Sequence, residues 1–297
     1  MTEATMTSAA APEEFVGRSL WVDAGRRLLR NHAAVASIIL LSAITLAAVL
    51  APYLSPHPYD EVYWDFIAWP PDLENGFYFG TDENGRDLFA RTLYGARVSL
   101  MVGLLATLVS LVIGVLWGAS AGFIGGRVDA TMMRIVDILY SLPFIFFVIL
   151  LTVVFGRHIV LMYVAIGAVS WLDMSRIVRG QALSLKRKEF IEAAVAGGVG
   201  PFAIIRRHII PNTLGPVVVY MTLTVPNVIL TESFVSFLGM GVQEPDTSWG
   251  VLISEGARTM ETAWWALVFP AIFLALTLFC FNFIGDGLRD ALDPKDR

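Results

Sequence analysis

The sequence predicts an all-α integral membrane protein with six transmembrane helices and both termini on the cytoplasmic side. Three observations support this. The chain is 56% hydrophobic and only 16% charged, where soluble domains run at about 45–50% apolar and about 25% charged. Uncharged stretches approach or exceed the roughly 20 residues that a helix needs to cross hydrocarbon. They occupy residues 33–51, 98–124, 138–156, 213–231 and 262–285, with a shorter one at 158–172. The basic residues sort to alternate sides of these stretches, and the side rich in Lys and Arg faces the cytoplasm.

The tail, 1–32, has acidic residues and lacks an apolar core followed by a small-residue cleavage site, so it reads as a cytoplasmic tail and the first span as a retained anchor. Residues 33–97 hold that span and a long outer segment. There Asp60, Glu61, Asp65, Asp72, Glu74, Asp82, Glu83 and Asp87 outnumber the arginines Arg86, Arg91 and Arg97. Its Trp64, Trp69, Phe77, Tyr78 and Phe79 suit either an interfacial belt or a partner surface.

In the second span Gly114, Gly118, Gly122 and Gly126 recur every fourth residue and stack on one helix face, the spacing by which helices approach closely in lipid. "GASAG" within it matches the nucleophile elbow of serine hydrolases. That motif needs a strand-turn-helix and a partner histidine, and His32, His57, His158 and His208 all lie outside the membrane interior.

The short run 158–172 decides the topology. If it crosses, with Arg157 and His158 as a tight outer hairpin, the basic cluster from Arg176 to Arg207 joins Arg18, Arg26, Arg27, Arg30, Arg127, Arg134, Arg289, Lys295 and Arg297 on the inner side. If it does not, that cluster faces outward against the positive-inside rule. Six crossings follow, with the fourth helix extended past Asp173 by tilting or by burial against neighbours.

Pro143, Pro216, Pro226 and Pro270 fall in or beside apolar runs, where each removes a backbone donor and kinks a helix. Asp137 and Asp173 sit at inner ends, solvated or paired with Arg134 and Arg176. Glu232 either faces a cavity or outer gate or marks the outer end of the fifth helix in water; with Asn227 and Met240 it forms the candidate translocation wall. Cys280 is the single cysteine and reads as a buried hydrophobe, and no catalytic or metal-ligating cluster is apparent. Nothing points to nucleic acid.

The inner segment 189–212 reads "EFIEAAVAGGVGPFAIIRRHIIPN". Glu189 to Ala196 is good helix material with early acids, Gly197, Gly198, Gly200 and Pro201 stop it, and a second short helix is expected over 202–210, ending at "PN". Small residues at such a corner suit insertion into a groove of another protein.

Glu192, Ala193, Ala194, Gly198, Ile209, Ile210 and Pro211 together resemble the EAA loop of ABC importer permeases, in the form of the dipeptide, oligopeptide and nickel branch. "FGTDENGRDLFARTLYGARVSL", "SWLDMSRIVRGQALSLKRKEFIEAA", "ESFVSFLGMGVQEPDTSWG" and "FNFIGDGLRDALDPK" extend the resemblance over most of the chain.

The resemblance implies a type I importer permease fold with its core over 98–286 and a cytoplasmic tail at 287–297, in the inner membrane. It implies a non-catalytic oligopeptide permease that pairs as a heterodimer with a homologous permease, two ATPase subunits and a periplasmic peptide-binding protein. Glu192, Ala193, Ala194, Gly198, Gly200 and Pro201 would form the coupling helix and its turn. The chain would bind no cofactor itself, ATP and Mg2+ being used by the ATPases. It contains no G-x-x-x-x-G-K-[ST] phosphate cradle. Permeases for dipeptides, glutathione or nickel share much of the pattern. An ion-coupled carrier would want buried charge, and an intramembrane hydrolase a histidine at depth.

Overall fold

The computed structural model describes residues 20–155 and 159–292. The outermost tail residues and the Arg157–His158 connection lie outside them. Among the described residues the protein is helical, with two isolated β-bridges in the outer segment, Asp72 to Phe77 and Thr81 to Asp87.

Helix α1 (Leu20–Arg30) is amphipathic and lies against the last helix of the chain. Asn31 separates it from α2 (His32–Val49), its side-chain oxygen accepting from the Ala34 amide at 3.1 Å. At the far end of α2 the Arg97 guanidinium donates to the carbonyls of Ala48 and Val49, satisfying acceptors that the helix leaves free and complementing its dipole. One turn, α3 (Ala51–Leu54), leads into the outer segment.

Asp87 starts α4 (Leu88–Ile124), with its carboxylate accepting from the Phe89 and Ala90 amides. The helix thus begins well before the apolar run at residue 98, because the cap and not the hydrophobicity sets its start. Gly125, at φ 74° and ψ −166°, ends it in a conformation essentially confined to glycine, which costs another residue about 1–3 kcal/mol.

The apolar run 138–156 is not one straight helix. Leu142, pushed to extended geometry by the following Pro143, separates α5 (Gly126–Ser141) from α6 (Phe144–Phe155), and the two axes differ by 80°. Helix α7 (Ile159–Leu185) runs beyond the short apolar stretch and past Asp173, lying along α4.

Helix α8 (Glu189–Ala196) follows, then α9 (Pro201–Ile204). The second short helix expected to stop at Pro211 does not stop. It continues through a π-helical turn, Ile205–Ile209, into α10 (Ile210–Phe237). Proline lacks an amide, and the widened turn just before it accommodates the missing bond without breaking the rod. Ser248 then caps α11 (Trp249–Arg258), a short helix without a counterpart in the sequence reading, and α12 (Trp264–Leu292) closes the chain.

Among the described residues four helices, His32–Val49, Leu88–Ile124, Pro201–Phe237 and Trp264–Leu292, are long and apolar enough to cross a bilayer, with a fifth if the bent α5–α6 pair is one span. The α4–α7 contact organises the bundle. A methyl group placed on Gly114 would lie 2.6 Å from Met174 Cβ, one on Gly118 would collide with the Ser175 carbonyl, and one on Gly122 would lie 2.7 Å from the Arg179 carbonyl. These three glycines let the helices meet backbone to backbone. Gly126 does not extend the row: it lies beyond the break at Gly125, with open space where a side chain would go. On the opposite face α4 exposes Met101, Leu104, Leu105, Leu108, Val112 and Leu116, as a lipid-facing surface does.

Leucine at Gly118 should therefore drive α4 off α7, whereas leucine at Gly180, on α7 with nothing within 4 Å of its side-chain position, should be tolerated. Thermal unfolding in detergent checks this: the Gly118 variant should unfold at lower temperature or fail to accumulate while Gly180→Leu stays near wild type, and equal stability would remove the glycine row from its role.

Candidate functional site

The inner corner is built from α8 outward. Lys188 precedes the helix in extended geometry, and Glu189 and Glu192 occupy its first turn, where the dipole favours acids. At the other end Gly198, at φ 80°, occupies the left-handed position of a Schellman cap. The Val199 amide bonds to the Ala194 carbonyl at 3.1 Å and the Gly198 amide to the Val195 carbonyl at 3.0 Å. This explains why a glycine follows the second alanine by four residues. No atom crowds it, so the demand is on the backbone. Gly200 is extended and Pro201 opens α9, its missing amide costing nothing there.

The corner has two faces. Ile191, Ile204, Ile205 and Ile209 are buried among Val115, Ala119 and Phe123 of α4 and Met174, Val178 and Ala182 of α7, on the same stretch of bundle that the glycines bring together. Ala194 packs against this cluster. The outward face exposes Glu192 and Ala193, with the large apolar side chains Phe190, Val195 and Phe202 beside them. Sequence reasoning assigned both alanines to one contact; here Ala194 is half-buried against the bundle, while Ala193, about 100° further round the helix, is exposed. On the bundle side Arg179 grips Asp129 through two bonds, at 2.5 and 2.7 Å, tying α7 to α5.

At the outer end Glu232 is fully buried where α10 meets α4 and α11. Ser236 donates to its carboxylate at 2.7 Å and Ser99 at 3.2 Å, while the Trp249 amide donates to Ser99 Oγ at 3.2 Å. Neither a cavity wall nor an exposed helix end describes it: it is an internal acceptor whose hydroxyl partners seat the start of α11 on α4. The Trp249 indole adds a bond to the Thr92 carbonyl at 3.1 Å. Met240 packs against the apolar cluster around Val102, Ala106 and Val228.

Asn227 does line a cavity, of about 260 Å³ between α6, α7 and α10, with Ser170, Asp173, Tyr220, Thr224 and Thr231 among the polar residues of its wall. The three candidate translocation residues thus separate, Asn227 on a cavity wall, Glu232 in a packed interior and Met240 half-buried at the edge of an apolar cluster.

A charge cluster that sequence reasoning missed holds the outer segment to the bundle. Arg91, without solvent exposure, pairs with Glu255 of α11 at 3.1 Å and Asp82 at 3.3 Å. Arg86 pairs with Asp82 at 2.8 Å and Glu244 at 2.9 Å. Burial pushes the Glu255 carboxyl up from its ordinary range, while the two arginines pull it back. The partners lie far apart in sequence, so no local pattern announces them. Of the outer aromatics, Phe77 is buried against His57 and Phe79 stacks on Phe269 at 4.1 Å, so these two are core; Trp64 is exposed.

A helical membrane bundle with a small-residue corner on one side, a charge-clamped cap on the other and a polar cavity between α6, α7 and α10 has the parts of a permease subunit. The chain belongs to the family described as binding-protein-dependent transport system inner membrane component, which matches residues 111–297, while residues 19–71 match the N-terminal TM domain of oligopeptide transport permease C. It is a multi-pass protein of the inner membrane. It is 60% identical to the oligopeptide transport system permease protein OppC of Escherichia coli strain K12 over 99% of this chain and 97% of that one. It is 48% identical to the dipeptide transport system permease protein DppC of Bacillus subtilis strain 168, over 93% and 86%. The fold matches a chain of the MetNI methionine ABC transporter in an inward facing conformation, with a TM-score of 0.57 and 20% identity over 67% of this chain and 94% of that one.

Replacing Arg91 by Met keeps most of its volume but leaves Glu255 to Arg86, at 3.9 Å, while Asp82 keeps its closer bond to Arg86; removing one partner of a buried pair costs about 3–5 kcal/mol. Detergent-solubilised Arg91→Met should unfold at markedly lower temperature, and adding Glu255→Gln should recover part of the loss. An unchanged midpoint for the single variant would show that the cluster holds nothing together.

Proposed function

We propose that this chain is the permease subunit of an ATP-driven importer of oligopeptides. It receives peptide from a binding protein outside, crosses the membrane six times with both termini cytoplasmic, and forms a heterodimer with a homologous permease above two ATPase subunits. In this topology the bent α5–α6 pair supplies one crossing and α7 another. The chain performs no catalysis and binds no cofactor; ATP and Mg2+ belong to the ATPases. Identity of 60% to an oligopeptide permease over almost the whole of both chains is the observation that supports the substrate class most directly.

The mechanism follows from the two faces of the corner. The outward face of α8, with Glu192 and Ala193, seats in a cleft of an ATPase. The inward face is bonded by its isoleucines to α4 and α7. When ATP draws the ATPases together, α8 and the α4–α7 pair move as one body, and the cavity between the two permeases turns outward to accept peptide. Hydrolysis returns it. Nucleotide state and cavity orientation are coupled because both bias one bistable arrangement.

Vesicles holding the full complex should take up labelled tripeptide only when ATP is supplied to the ATPase side. Uptake driven instead by a proton or sodium gradient would overturn the proposal. Glu192→Lys and Ala193→Leu alter exposed positions that do not pack in the bundle, so both should reduce uptake tenfold or more at unchanged membrane abundance. Normal uptake in both variants would detach the corner from coupling.

A further inference from the structure

The cavity between α6, α7 and α10 has one polar side. Tyr220, Thr224, Asn227 and Thr231 recur at spacings of four, three and four and therefore share one face of α10, opposite Ser170 and Asp173, three apart on α7. The site lies at the middle of the bundle: the Ser170 carbonyl accepts from Ser110 Oγ, in the central part of α4, at 2.8 Å, and Met174 packs on Gly114. A polar face with a carboxylate at this depth is costly against lipid and belongs beside water or another protein.

Three of the six polar residues of the wall have their side chains engaged within their own helices. Thr224 Oγ donates to the Tyr220 carbonyl, Thr231 Oγ to the Asn227 carbonyl and Ser170 Oγ to the Ile166 carbonyl, each within its own helix. The Asp173 carboxylate and the Asn227 amide make no hydrogen bond or ion pair among the described residues. The arginine expected to neutralise Asp173 is committed elsewhere: Arg176 bonds to Asp137 at 2.9 Å and lies over the Tyr140 ring at 4.5 Å. Arg179, one turn on, is held by Asp129. The wall therefore presents one unneutralised carboxylate among neutral groups. The larger cavity, about 540 Å³ beside Pro216, Val219 and Leu223, is lined mostly by apolar side chains and offers no such group.

We infer that Asp173 is a substrate-binding residue of the translocation pathway, contacting the cationic group of a passing peptide, either its N-terminal ammonium or a lysine or arginine side chain. The inference rests on the peptide-import reading. One carboxylate in a water-filled passage attracts a cation without trapping it, as transport of varied peptides requires, and the Asn227 amide offers a neutral contact beside it. No bond forms or breaks and no proton is transferred.

The test uses the complete importer in proteoliposomes with ATP on the ATPase side, and compares saturated uptake of trialanine, Ala-Lys-Ala and Ala-Glu-Ala. If the side chain is the group read, Asp173→Asn should slow Ala-Lys-Ala about three- to fivefold, the scale of a partly screened ion pair, and leave the other two nearly unchanged. If the N-terminus is read, all three should slow alike and Asp173→Glu should restore all three. Either result supports the inference. Unchanged rates for all three peptides in Asp173→Asn overturn it. So does a uniform loss that Asp173→Glu fails to restore, since a packing role would behave that way. Absence of ATP-dependent uptake by the unaltered complex overturns the import reading itself, and the inference with it.

Discussion

Everything on the inner half of this protein depends on the backbone-to-backbone meeting of α4 and α7. Lipid tails are as apolar as leucine, so two helices in a bilayer gain little from hiding hydrophobic surface and associate through packing. Gly114, Gly118 and Gly122 remove the side chains that would keep the helices apart. Once the pair is closed, Val115, Ala119 and Phe123 on one helix and Met174, Val178 and Ala182 on the other form a single apolar floor. The isoleucines of the corner and of the π turn are set into that floor. Separation of the two helices would leave α8 with nothing rigid to push against.

The outer half uses a different chemistry for the same purpose. Its segment is too acidic to sit in lipid and is tied down by Arg86 and Arg91, while the hydroxyl chain that ends on Glu232 seats α11 on α4. Buried ion pairs are weak evidence for net stability but specify geometry strongly, since a wrong register leaves a charge stranded. Glycine contact within the membrane and charge pairing at its surface divide the work by local dielectric. Between them the cavity wall of α7 and α10 is left polar, with Asp173 unpaired among the described residues.

Much of this was legible in the sequence, for identifiable reasons. Helix periodicity and the four-residue glycine spacing are local, so the α4 contact face and the α8 helix could be read directly, and Gly198 marked the turn. The sequence could not show that Gly126 stands outside the row, because that depends on the chain turning at Gly125. Pro211 looked like a stop, but the π turn before it absorbs the missing amide. The break at Leu142–Pro143 hid inside a continuous apolar run, since hydropathy is blind to direction. The surroundings of Glu232 and Arg91 were out of reach because each is set by partners on other helices, and of the two arginines offered as partners for Asp137 and Asp173, Arg176 is found on Asp137.

The central claim is that the corner and the α4–α7 pair move as one rigid body. Spin labels at Ser184 and Ala193 in the assembled complex, read by pulsed electron paramagnetic resonance with and without ATP, test it directly when compared with a third label at Asp246 on the outer side. The expected result is an unchanged Ser184–Ala193 distance in both nucleotide states alongside a changed Ala193–Asp246 distance. A Ser184–Ala193 distance that shifts with nucleotide while the outer label keeps its place would contradict it.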